Sequence, residues 1–280
     1  MLLPSGVLLH FSRPLVMSIV NCTPDSFYAK SRCSGPEEAA ERALAAESDG
    51  ADIVDFGAES TRPGAVNVDE EEELRRLIPA LERFRRQSSL PISVDTRRAS
   101  VARAALDAGA DIINDVSSLS DNAMIPLCAE KKAGVVLLHG LSMAVQPVKK
   151  NMGNYICAIR RFFTEAAEKA VMGGIEKNYI ILDPGIGFNK STEDNIALLN
   201  LLARIRPGDY PLLVGFSRKR FIGDLTGRKT EERLAGTIAA NALALLGGAD
   251  IIRVHDTAAA VDTIKVTSAV TCSIETGISA

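Results

Sequence analysis

Eight short apolar runs in the chain each end in a side chain that can bind a polar ligand or stabilise charge. The runs finish at Asn21, Asp55, Asp95, Asn114, His139, Asp183, Ser217 with Lys219, and Arg253 with His255. Singly, each has an ordinary explanation, because Asn, Asp and Ser form turns and cap helices just after strands. Together they need another one. Three carboxylates and two amides converging on one place would repel or stay unsatisfied unless a ligand with several donors sat among them. A carboxylate accepts a bidentate pair of N–H bonds, as a 2-amino-4-oxo pyrimidine edge offers, and Asp95 and Asp183 suit that task. Arg253 and His255 are two apart, so on a strand they share a face, and two donor or cationic groups side by side suit a phosphate. The competing reading for Arg253 is an ion pair with a neighbouring carboxylate.

The loops after these runs add shape. Glu59-Ser60-Thr61-Arg62-Pro63-Gly64 contains a Pro-Gly step that argues a formed loop, with Arg62 able to close over an anion. Asp183-Pro184-Gly185-Ile186-Gly187-Phe188 lets backbone approach a flat ligand and supplies Phe188 as a stacking face. Lys219 opens a helix after the seventh run, where Ser217 is either a cap or a donor to a bound carboxylate. His10 and the acidic run 69–73 read as ordinary surface, the latter favouring a helix N-terminus.

Positioning these residues takes a repeated scaffold. Gly50-Ala51-Asp52-Ile53-Val54-Asp55, Gly109-Ala110-Asp111-Ile112-Ile113-Asn114 and Gly248-Ala249-Asp250-Ile251-Ile252-Arg253 share one pattern, and each follows an Ala/Leu/Glu-rich helical stretch. The Gly reads as a helix C-terminal cap and the β-branched run as a buried strand. Runs at 15–20, 91–94, 135–138, 179–182 and 211–214 bring the strands to eight, with helices expected at 36–48, 69–86, 99–108, 155–172, 192–205 and 230–246. Strands alternating with amphipathic helices imply a parallel sheet covered by helices. Eight units in this length, with no G-x-G-x-x-G after the first strand, favour a closed (β/α)8 TIM barrel over an open sheet. A short extra N-terminal strand at 7–11 would plug its bottom, and no linker divides the chain, so 1–280 reads as a single domain with its core at about 15–270.

Composition agrees. An apolar fraction of 46% and a charged fraction of 24% describe a globular protein with a sizeable core. A net charge of −3 argues against nucleic acid as the main partner. The five cysteines, Cys22, Cys33, Cys128, Cys157 and Cys272, lack CxxC spacing and fit reduced thiols in a cytoplasmic protein. The apolar start is interrupted by Pro4, His10, Arg13 and Pro14, which fits neither a signal peptide nor a membrane span.

At these residues the sequence resembles the dihydropteroate synthases, from Met17 to about Val266. The resemblance is carried by Asn21-Cys22-Thr23-Pro24-Asp25-Ser26-Phe27, the Glu59 to Gly64 loop, Ser93-Val94-Asp95-Thr96, Ile113-Asn114-Asp115, the Asp183 to Phe188 turn, Ser217-Arg218-Lys219 and Ile252-Arg253-Val254-His255-Asp256. It implies condensation of 6-hydroxymethyl-7,8-dihydropterin pyrophosphate with p-aminobenzoate, by an SN1-like displacement in folate biosynthesis. It also implies that Asp95, Asn114, Asp183 and Lys219 bind the pterin, with Arg253 packing over it. Asn21, Arg253 and His255 would hold pyrophosphate and its Mg2+, with Asn21 as metal ligand. Thr61, Arg62, Pro63, Phe188, Ser217 and Lys219 would shape the p-aminobenzoate pocket, with Asp25 and Phe27 on the first loop. Asp95, Asp183, Lys219, Asp25 and Arg62 would serve catalysis, in a homodimer inhibited by sulfonamides.

Two stretches depart from the family pattern. Tyr28-Ala29-Lys30-Ser31 stands where the family usually has Ser-Asp-Gly-Gly, and Gly140-Leu141-Ser142 where it has Met-Gln-Gly. Two rival readings follow. The pterin-binding domain of a methyltetrahydrofolate methyltransferase would share the Asp/Asn contacts but not need Arg62 or Ser217-Arg218-Lys219. A catalytically silent pterin-binding relative would tolerate the altered loops.

Overall fold

The computed structural model of the chain describes residues 1–22, 33, 35–59, 68–140 and 152–277. Eight strands run parallel: β1 (Leu15–Asn21), β2 (Ile53–Gly57), β3 (Ile92–Asp95), β4 (Ile112–Asp115), β5 (Gly134–Leu138), β6 (Ile180–Asp183), β7 (Leu213–Val214) and β8 (Ile251–Val254). Their order is 6-5-4-3-2-1-8-7, and a single parallel bridge from Leu182 to Leu212 joins the two ends. The result is a (β/α)8 TIM barrel, as the repeats imply.

Around it lie α1 (Pro36–Ser48), α2 (Glu70–Arg85), α3 (Ala99–Asp107), α4 (Met124–Lys131), α5 (Met152–Met172), α6 (Thr192–Asn200), α7 (Leu202–Ile205), α8 (Arg220–Thr226), α9 (Leu234–Leu246) and α10 (Thr257–Gly277). Two expected helices are divided. The one at 192–205 breaks at Leu201, whose φ of −121° leaves the helical region, so that Leu202 and Ile205 turn into the core as α7. The one at 230–246 begins as a 3-10 turn, and α9 starts only after Arg233, whose guanidinium reaches back to the carbonyls of Arg218 and Arg228.

Side-chain alternation divides each strand between two cores. Val54, Phe56, Val94, Ile113, Val135, Leu137, Ile180, Leu182 and Ile252 face outward and pack under the helices. Leu15, Met17, Ile53, Ile112, Val136, Ile181, Leu213 and Ile251 fill the lower interior. The N-terminal segment seals that floor with Leu3 and Leu9. The element expected at 7–11 takes the form of a turn closed by one antiparallel bridge, Leu2 to Leu8.

The three Gly-Ala-Asp repeats explain how the floor is fastened. Gly50, Gly109 and Gly248 all adopt φ between 90° and 101°, where a side chain is strained, and each follows a helix as its cap requires. The Asp that follows accepts the N–H at the start of the neighbouring strand: Asp52 from Val16 at 2.8 Å, Asp111 from Ile92 at 3.0 Å, Asp250 from Leu212 at 2.7 Å. Each Asp also pairs with an arginine, Arg13, Arg85 and Arg206 respectively.

Candidate active site

Above the apolar floor the interior positions become polar. Asp55 on β2, Ser93 and Asp95 on β3, Asn114 on β4, Asp183 on β6 and Arg253 on β8 continue the inward-facing series of their strands. Arg253 organises one side. Its Nε lies 2.6 Å from Asp55 Oδ2, its Nη2 lies 2.5 Å from that same oxygen and 3.0 Å from Asp95 Oδ2. The ion-pair reading of Arg253 is therefore the one its geometry displays. Asn114 Nδ2 approaches Asp55 Oδ2 at 3.4 Å, a weak contact, so one carboxylate oxygen is shared by several donors.

The remaining acceptors are not matched. Asp55 Oδ1, Asn114 Oδ1 and Ser93 Oγ are buried and have no hydrogen-bond partner among the described residues. Leaving such groups unsatisfied costs about 1–3 kcal/mol each. Burial pushes the Asp95 carboxyl up to about 7; Arg253 opposes this and Asp55 adds to it. Burial would lower Arg253, but Asp55 and Asp95 outweigh it and hold the guanidinium firmly charged.

On the opposite wall Asp183 ends β6, with Oδ1 fixed by the Gly185 N–H at 2.7 Å. Gly185 has φ +65°, and any Cβ there would run into the His139 carbonyl, so the turn can pass beneath β5 only as glycine. Burial raises the Asp183 carboxyl, with Lys219 as the largest opposing influence. Lys219 caps α8, donates to the Ile186 carbonyl and sits 4.8 Å from the Phe188 ring centroid. Burial lowers its ammonium to about 8.

A second lysine joins this wall. Lys190 Nζ donates to the His139 carbonyl at 2.9 Å and the Phe188 carbonyl at 3.1 Å, and lies 3.1 Å from His139 Nδ1. When Lys190 carries its proton, His139 presents Nδ1 to it as an acceptor. Burial and the nearby Lys190 charge lower its pKa to about 4. Burial likewise lowers Lys190 to about 7, opposed by Asp183.

The third corner lies after β7 and β8. Ser217 Oγ lies 2.9 Å from His255 Nδ1 and accepts the His255 backbone N–H at 3.2 Å, so the hydroxyl holds both the ring and the backbone of His255. Burial and Arg253 push His255 down to about 3, so the ring is neutral rather than a cation. Buried Arg218 ties the corner together through a bidentate pair with Asp256, both contacts 2.8 Å, and bonds to the carbonyls of Thr230 and Glu231. α10 begins directly after, at Thr257, placing a helix N-terminus beside His255.

The structure thus brings Asp95, Asn114, Asp183 and Arg253 to the barrel mouth with Phe188 and Lys219 along its edge, and Asn21 at the end of β1. Ser217 meets His255 through its hydroxyl. Asp25, Phe27, Thr61, Arg62, Pro63 and residues 141–151 lie outside the described residues. Sequence reasoning gave Asp55 no role and did not single out Lys190. Asp55 was visible as a strand end, whereas Lys190 precedes the helix cap Ser191 and has the look of a surface lysine.

Fold and site together define a barrel enzyme built to hold a flat, donor-rich heterocycle beside an anion. A family model described as pterin binding enzyme matches residues 17–255. A dihydropteroate synthase of Synechocystis is 42% identical over 261 residues, 92% of this chain and 90% of that protein. A Xanthomonas albilineans dihydropteroate synthase solved with 4-aminobenzoic acid has a TM-score of 0.88 at 45% identity, covering 95% of this chain and 96% of its own. The same enzyme in complex with 7,8-dihydropteroate gives 0.85 at 43%, over 95% and 97%. The chain belongs to the dihydropteroate synthases, transferases of folate synthesis.

Proposed function

We propose that this mouth joins the methylene carbon of 6-hydroxymethyl-7,8-dihydropterin pyrophosphate to the amine of p-aminobenzoate, with Asp95, Asn114 and Asp183 reading the pterin edge. The observation that carries the assignment is the set of buried acceptors around Arg253, two of them without a partner on Asp55 and Asn114. A pterin edge supplies N–H groups to such atoms. Lys219 faces the ring's carbonyl side, and Arg253 packs over it.

The electron-rich ring expels pyrophosphate: the C–O bond breaks, the methylene becomes a delocalised cation, the amine forms the C–N bond and loses its proton. The protein's part is to stabilise separated charge. Asp95 and Asp183 offset the positive ring, while Arg253 and His255 receive the leaving group. The aryl amine needs positioning more than a base. Thr61, Arg62, Pro63, Phe188, Ser217 and Lys219 take p-aminobenzoate, with Asp25 and Phe27 from the first loop. Sulfonamides would compete there.

Mg2+ belongs with the pyrophosphate. Among the described residues no group of three His, Cys, Asp or Glu side chains could hold a metal. Asn21 offers one amide oxygen, and Mg2+ commonly takes only one or two protein ligands alongside phosphates and water. When bound it supplies charge neutralisation to the leaving group.

Ile238, Leu243, Leu246, Val266 and Val270 are exposed on α9 and α10, which pack against each other, and this apolar face supports a homodimer. Sedimentation at micromolar concentration should give two chains, and a monomer would overturn it. Among the described residues no helix is long and apolar enough to cross a membrane; Cys22, Cys33, Cys128 and Cys157 are free thiols, which supports a reducing, cytoplasmic setting. Mixing both substrates should release pyrophosphate in step with p-aminobenzoate consumed. Tight pterin binding without release, or release indifferent to p-aminobenzoate, would refute the synthase reading in favour of a silent pterin binder or a different transferase.

A further inference from the structure

We infer that Lys190 is a positioning residue for the p-aminobenzoate half of the site, because its ammonium fastens the Phe188 carbonyl to the end of β5. An ammonium has three donors and no acceptor. All three directions are used here: the carbonyls of His139 and Phe188 at 2.9 and 3.1 Å, and His139 Nδ1 at 3.1 Å. The lysine is thus a three-point clamp whose acceptors come from two different strand ends.

The surrounding geometry explains why a clamp is needed. Between Asp183 and Ser191 the chain makes three left-handed steps, at Gly185, Gly187 and Asn189, with φ of 65°, 83° and 46°. Two of the three are glycines, which leave the backbone free to adopt many conformations, so the surroundings must select this one. The Asn195 side chain holds the Gly187 N–H at 2.8 Å from the helix side, and Lys190 holds the Phe188 carbonyl from the barrel side. His139 is itself anchored, its N–H bonded to the Asp183 carbonyl at 2.9 Å and its ring edge set against Phe162. Lys190 therefore transfers the fixed position of β5 to the backbone of Phe188, whose ring lies against Lys219.

The inference rests on Phe188 forming a wall of the p-aminobenzoate pocket, and the experiment separates the two. Lys190→Met keeps the length and removes the donors. It should raise the KM for p-aminobenzoate about tenfold while the affinity for pterin pyrophosphate, measured alone, changes less than about threefold. Lys190→Gln, which retains an N–H donor for one carbonyl, should fall between wild type and the Met variant, and carries the test if Lys190→Met does not fold. Phe188→Ala is the control. If it raises the KM for p-aminobenzoate while both Lys190 variants keep wild-type values, Lys190 has no positioning role. If Phe188→Ala itself leaves that KM unchanged, the pocket assignment fails first. Equal weakening of both substrates in the Lys190 variants would make the clamp a general stabiliser and overturn the inference.

Discussion

The two ends of the barrel use the same residue type for opposite purposes. At the floor, Asp52, Asp111 and Asp250 each accept a strand's opening N–H and pair with an arginine. At the mouth, Asp55 and Asp95 share Arg253, and Asp55 keeps a buried oxygen without a partner. The floor carboxylates are consumed by the fold, whereas at the mouth Asp55 holds one oxygen back from it. A group left in deficit by folding is one a ligand can satisfy, and that contrast places binding at the C-terminal strand ends without appeal to any bound molecule.

Removing a floor carboxylate moves the deficit to the other end of the barrel. Asp111 is fully buried, accepts N–H groups from Ser5 and Ile92, and pairs with Arg85, which also holds the carbonyls of Gly109 and Leu90. Asp111→Ala strands that guanidinium and two N–H groups at once, at about 3–5 kcal/mol. Thermal denaturation should show a melting temperature lower by on the order of 10 °C, while the protein that remains folded binds pterin normally. A loss of pterin affinity without a loss of stability would show that the two ends are not separate in function.

The mirror experiment is Asp183→Asn. It turns one mouth acceptor into a donor facing the ring's own N–H groups, a loss of roughly 2–4 kcal/mol of pterin binding. Because burial already disfavours the charged carboxyl, the variant should melt at or above the wild-type temperature. Calorimetry with a pterin ligand decides the first half; unchanged affinity in the folded variant removes Asp183 from the site.

The floor was more legible in the sequence than the mouth's pairings. Gly50, Gly109 and Gly248 announce helix ends, and the β-branched runs that follow announce strands, since capping and alternation are local rules. That Asp95, Asn114, Asp183 and Arg253 lie at strand ends follows from the same rules. Which of them touch does not. Arg253 and Asp55 are 198 residues apart, and only barrel closure through β1 brings β8 near β2. Lys190 was hidden for a different reason: its side chain turns inward from a cap region whose sequence, Asn189-Lys190-Ser191, is what an exposed helix start looks like.

Asp95 offers the smallest and most specific measurement. In the ligand-free protein its pKa lies near 7, raised by burial over the opposition of Arg253, against about 3.9 in an unfolded chain. Between those values the folded protein carries a proton that the unfolded chain lacks. The group's contribution to stability is therefore complete below about pH 4 and is lost as pH rises through 7, at up to about 1.4 kcal/mol per pH unit. Asp183, also raised, His139 and His255, both lowered, and Lys190, lowered to about 7, titrate in wild type and variant alike, so comparison with Asp95→Asn leaves the carboxyl and Lys219, whose ammonium Asp95 supports. The stability of wild type relative to Asp95→Asn should fall by on the order of 1–2 kcal/mol between pH 5.5 and 7.5. Pterin affinity should move the other way, strengthening over the same interval as the carboxylate becomes available to accept N–H bonds. A stability difference that stays flat with pH would mean that Asp95 is already ionised beside Arg253, and that the mouth is as well satisfied as the floor.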